Sequence, residues 1–192
     1  MAAGNGFIDY VPDTRYGTTT TSSLTEYCWA QKFLLPEGDF EISEIGMYLS
    51  ADAGFSTKFH YGIFTDDSVN TCPGTLVSNS DEGEFTHNTA VITKIGHSYS
   101  VKPLLTGAVG GTYYWLAIYS GDQYANLDQK VVVGSTSNIV HSDFGITYPT
   151  WPTDTQWHTH THYSTIDWSL YAFYQATSVG SKIMVGSMIN IG

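Results

Sequence analysis

Three histidines at two-residue spacing, in the run "WHTHTHY" (157–163), are the side chains best placed to do chemistry. If the run is a strand, His158, His160 and His162 share one face, about 6.5–7 Å apart along it. Thr159 and Thr161 then lie on the other face. Two such imidazoles reach one metal ion, and a distant third ligand completes a zinc-type set. Three in line on a flat strand rarely converge on one ion within a single chain. Three chains on a threefold axis would each donate a His-x-His pair, and six imidazoles suit an octahedral transition metal. Beside the metal stand two other readings, imidazoles that touch a ligand and a polar strand whose imidazoles face water.

The residues just before this run, "YPTWPTDTQWH" (148–158), place Tyr148, Trp151 and Trp157 on a long connection rich in Pro and Thr. Exposed rings on a rigid loop offer flat apolar faces at low entropic cost. Sugar rings stack on such faces, and Asp154 and Gln156 would hydrogen-bond their hydroxyls. The same rings would equally plug one end of a sandwich or bury themselves against another subunit. Two acidic turns, "TDDSVN" (65–70) and "SADAG" (50–54), offer oxygens for a structural calcium, though neither has EF-hand spacing. Solvated turns are the plain alternative. No G-x-S-x-G, P-loop, H-E-x-x-H or C-x-x-C occurs, so a non-enzymatic protein is expected.

Charge narrows the partners. The formal net charge is −11 with seven Lys and Arg in all, which repels polyanions and speaks against nucleic-acid binding and against anionic membranes. No apolar run approaches the ~20 residues of a membrane helix, so no membrane insertion is expected. Only 13% of residues are charged, about half the usual share, so the surface is built from Thr, Ser, Asn, Gln, Gly and Tyr. Residues 1–17 show neither a basic n-region nor an apolar h-region, from which we expect cytoplasmic synthesis without a secretory leader. In that setting Cys28 and Cys72 stay thiols, with a disulfide between them as the alternative.

The elements that must position these residues read almost entirely as strands. Short β-branched and aromatic runs recur between Gly, Pro, Asn and Asp, and no helical period is sustained. The runs are 27–35, 40–51, 57–65, "TLVSNS" (75–80), "AVITKI", "SYSVKPLL", 112–121, "KVVVGS", "IVHSDFGITY" and "DWSLYAFYQA". "TYYWLAIYSG" (112–121) alternates best and is expected at the centre of a sheet. Nine to eleven strands without a helix predict an all-β, antiparallel two-sheet β-sandwich of jelly-roll type. Pro73-Gly74 is expected to turn the chain, Gly111 to let it enter a buried strand sharply, and Trp115 and Tyr171 to fill the inter-sheet core. Residues 1–24 read as an N-terminal arm ending in the Thr/Ser connector "TTTTSS" (18–23). Residues 25–177 read as the sandwich, and 178–192 as a C-terminal strand or hairpin.

The segments "AQKFLLPEGDFEISEIGMYLS", "YGIFTDDSVNTCPGTLVSNS", "GTYYWLAIYSGD" and "WSLYAFYQ" together resemble a loose group of bacterial and phage jelly-roll domains. That group is similar to carbohydrate-binding modules and to virion decoration or fibre domains, and the likeness covers about residues 25–177. The ending "KIMVGSMINIG" resembles tails of phage structural proteins, and stacked His-x-His motifs resemble trimeric tail-fibre tips. The resemblance implies a non-enzymatic virion subunit, a homotrimer with other virion proteins as partners, located in the virion and binding cell-surface glycan through the aromatic loop. Its alternative is the carbohydrate-binding module of a bacterial surface or secreted protein.

Overall fold

Alternation is clearest in β10 (Thr112–Ser120), where Tyr114, Leu116 and Ile118 take one face while Trp115, Ala117 and Tyr119 take the other. β10 lies inside its sheet, antiparallel to β3 (Cys28–Leu35) on one side and to β5 (Thr57–Asp67) on the other, as expected. The structure, a computed structural model, describes residues 6–8, 18–20, 28–51, 56–82, 84–121, 125–131, 139–142, 147–158, 161–163 and 166–177.

The second of its two sheets runs β13 (Thr161–Tyr163), β12 (Ile139–Ser142), β3, β10, β5 and β6 (Cys72–Leu76), with β7 (Glu84–His87) also on β5. The first sheet runs β1 (Gly6–Ile8), β15 (Tyr171–Ala176), β4 (Gly38–Ala51), β11 (Ala125–Val131) and β14 (Ile166–Trp168). On β11 sits β2 (Thr18–Thr20), and on β4 sit β8 (Thr93–Ser98) and β9 (Leu104–Gly107). Among the described residues every pairing is antiparallel except that of β1 with β15. The molecule is thus the all-β two-sheet sandwich its patterning predicts.

The inter-sheet core sets Ile42, Ile45, Met47 and Leu49 of β4 against Phe59, Tyr61 and Ile63 of β5 and the inward face of β10. Each such side chain contributes about 1.5–3 kcal/mol by leaving water. Two stretches of the expected arm belong to the first sheet as β1 and β2, and Phe7 meets Tyr114 edge-on at 6.2 Å in the same core. Residues 178–192 lie outside the described residues.

Several local expectations change. Pro73 and Gly74 lie within β6, opposite an irregularity in β5, and the turn itself is Ser68–Thr71, with Thr71 at φ 54°. The run "SYSVKPLL" is not one strand. The Glu82 carboxylate draws the Ser100 and Val101 N–H groups, both at 2.6 Å, and Pro103 has no N–H, so pairing resumes only at Leu104. "DWSLYAFYQA" divides into β14 and β15 at Ser169 and Leu170. Gly111 does turn sharply, at φ 91°, its N–H donating to Ala108 O at 2.7 Å. Trp115 and Tyr171 are fully buried, yet neither belongs to the inter-sheet core. The chain also makes one helical turn, α1 (Asp154–Trp157), where none was expected.

Candidate functional site

A second apolar cluster occupies the outer face of the second sheet. Cys28 and Ala30 of β3, Phe64 of β5, Cys72 of β6 and Trp115, Ala117 and Tyr119 of β10 line it, and Trp151 and Trp157 cover it. Small side chains make the hollow. A Cβ on Gly62 would come within 2.8 Å of the Trp151 ring, and one on Gly121 within 2.8 Å of the Tyr148 ring. The rings then meet edge-on, Phe64 with Trp151 at 5.3 Å, Phe64 with Trp157 at 5.6 Å, and Tyr119 with Tyr148 at 5.0 Å. That is the geometry aromatic quadrupoles favour.

Local chemistry aims the cover. Gln156 Oε1 accepts from the Thr153 N–H at 2.8 Å, and the Gln156 N–H donates to Thr153 Oγ1 at 3.4 Å. This reciprocal capping box starts α1 and turns the Trp157 indole into the cluster. Trp151 is 8% exposed and Trp157 0%, so neither presents an open face to a sugar ring. The two indoles lie over the outer face of the second sheet and not at one end of the sandwich. Tyr148 is half-buried beside them, and the Asp154 side chain lies outside the described residues.

The histidine run is not a single strand, which corrects the premise of three imidazoles at strand spacing. His158 follows α1 in a turn, because the buried Trp157 and the capped helical turn direct the chain toward the β5–β6 hairpin. There His158 Nε2 lies 3.1 Å from Asp67 Oδ2 and 3.2 Å from Asn70 Nδ2. His162 lies in β13 opposite Val140, and His160 falls outside the described residues.

Asp67 is held in place from several sides. Its Oδ1 accepts the N–H groups of Val69 at 3.0 Å and Asn70 at 3.2 Å, and its Oδ2 accepts from Asn70 Nδ2 at 2.7 Å. The Asn70 amide, with these backbone N–H groups and His158, holds the Asp67 carboxyl below the usual carboxylate range. Cys72 is the direct cross-strand partner of Asp67. Asp67, Cys72 and His158 bring oxygen, sulfur and nitrogen within 4.8 Å of one another. Sequence reading missed this cluster, although two donors five residues apart around a turn-forming "SVNT" were a signal for it. Neither cysteine is in a disulfide; both are buried, and burial pushes the Cys28 thiol up.

The rest of the "TDDSVN" turn is also committed within the chain. Asp66 accepts from the Trp115 indole N–H at 2.8 Å and pairs with Lys32 at 2.9 Å, and Lys32 lies over the Tyr113 ring at 4.7 Å. The donor set around Asp67 is mixed O, N and S, unlike the oxygen shell calcium takes. The other acidic turn, around Asp52, lies outside the described residues. His60 Nε2 contacts the Asp81 carboxylate, and its ring lies beside those of Tyr148 and Trp151. Tyr171 donates to Glu44 at 2.6 Å, and burial pushes its phenol up.

Comparison with known proteins yields no match: no family model, no curated protein and no solved structure is similar to this chain.

Proposed function

We propose that the chain is a non-enzymatic structural or adhesive subunit of a virus particle, of the capsid-decoration, head-fibre or tail-associated kind, working as a homotrimer among other virion proteins. The observation that carries this reading is the closure of the second sheet's outer face by the chain's own Trp151 and Trp157. A sandwich filled in this way meets other molecules through its edges and ends. One end supports that role, because Leu34 and Tyr113, direct cross-strand partners, are 48% and 47% exposed. Val109 in the neighbouring β9–β10 turn is 87% exposed. Clustered exposed apolar side chains mark protein contact surfaces. The acidic balance leaves nucleic acid and anionic membranes aside as partners.

Native mass spectrometry and light scattering test the proposal. A trimer is expected, and the pair Leu34→Asp and Tyr113→Asp should shift it to monomer while the circular dichroism spectrum stays unchanged. A wild-type monomer at every concentration would sink the subunit reading. Glycan-array binding abolished by Tyr148→Ala would instead favour a carbohydrate-binding module.

A further inference from the structure

We propose that Asp67, Cys72 and His158 hold one divalent transition ion of the zinc type, a site that takes only His158 from the row of three histidines. Two elements deliver the ligands. Asp67 and Cys72 face each other across the mouth of the β5–β6 hairpin. His158 arrives from the end of α1, whose last residue, Trp157, is anchored in the cluster beside Cys72.

The donor chemistry selects the ion. Thiolate sulfur, imidazole nitrogen and carboxylate oxygen suit a borderline-soft d10 ion, which binds all three at about 2.0–2.3 Å. Tetrahedral bonds of that length set donor atoms roughly 3.4–3.6 Å apart. The Asp67–His158 edge, at 3.1 Å, is already close to this spacing. The widest pair is within 4.8 Å and closes by about 1.3 Å, a motion within reach of the exposed His158 side chain. The surroundings are built for orientation. Two backbone N–H groups fix Asp67 Oδ1, which leaves Oδ2 facing the imidazole, and Asn70 Nδ2 donates to that Oδ2 at 2.7 Å. Outer partners of this kind orient ligands before the ion arrives. The sulfur side is sealed from water, while the His158 side is open, so the fourth position falls to solvent. Bound there, the ion clamps the aromatic cover onto the hairpin.

The test uses full-length protein purified without nickel resin, stripped with chelator and titrated with cobalt(II). One cobalt per chain is expected, with a thiolate-to-cobalt charge-transfer band that zinc displaces. Cys72→Ser should abolish the band, and His158→Ala, at an exposed position, should do so without disturbing the fold seen by circular dichroism. Joint replacement of His160 and His162 by Ala should leave the titration unchanged. A folded wild type without the band overturns the proposal. So does a band that survives Cys72→Ser, or binding lost only with His160 and His162.

Discussion

The cover over the second sheet can be tested through a single missing carbon. Gly62 sits in β5 with its Cα under the Trp151 indole, where an added Cβ would lie 2.8 Å from the ring. Its φ is not in the left-handed region, so alanine fits the backbone, and a strand residue gains about 0.5–1 kcal/mol over glycine. Against that stands overpacking, which costs about 1–3 kcal/mol when the neighbour cannot move. Trp151 cannot easily move, since Phe64, His60 and Tyr119 surround it at 5.3, 5.4 and 6.0 Å. Gly62→Ala should therefore destabilise by about 0.5–2 kcal/mol. Trp151→Ala alone should cost about 3–5 kcal/mol, because it empties a buried site. In that background the clash is gone, and Gly62→Ala should become stabilising by about 0.5–1 kcal/mol. Urea midpoints for the four proteins give the cycle, with the two glycine steps opposite in sign. Equal effects of Gly62→Ala in both backgrounds would refute the packed cover, as would a Trp151→Ala cost below about 1 kcal/mol.

Other perturbations probe the same framework. Asp66→Ala leaves the largely buried Lys32 cation and the Trp115 indole N–H without their acceptor, and should cost about 3 kcal/mol in urea denaturation. Glu82 is held down to about 2 by the N–H groups of Ser100 and Val101. Its contribution is therefore complete above the unfolded carboxylate range and is lost as pH falls through about 2, so acid-titrated stability should flatten in Glu82→Gln. Both thiols are buried, so a disulfide-exchange reagent should titrate neither in native protein and two per chain in denaturant. Gly111→Ala should destabilise by at least ~1 kcal/mol in the same assay, because alanine resists φ 91° and its Cβ would meet Leu34 and the Leu35 carbonyl.

Sheet membership was legible where β-branched and aromatic runs stand between turn residues. β10 and its neighbours β3 and β5 show this, each such a run and each paired antiparallel. The aromatic cover was harder, because a strand buried on both faces loses its polar half. The uninterrupted "WLAIY" of β10, with Gly62, Ala30 and Ala117 beneath two tryptophans, carries that signal. "HTHTH" looks like perfect alternation, yet the Thr153–Gln156 capping box just before it imposes a helical turn through Trp157. Local capping there overrides the longer pattern. The Asp67–Cys72–His158 cluster joins residues 91 apart, and only tertiary packing decides which histidine arrives.

The place of β15 carries a consequence for biosynthesis. It fills one edge of β4 and templates β1, yet Tyr171 lies 127 residues downstream of its partner Glu44. At ribosomal speeds of about 5–20 residues per second, that edge waits roughly 6 to 25 s for its complement. During this interval β4 is an open template in the nascent chain, the kind of edge on which aggregation starts. Completion of the first sheet is thus a late event, and a chaperone or low expression temperature should raise the soluble yield.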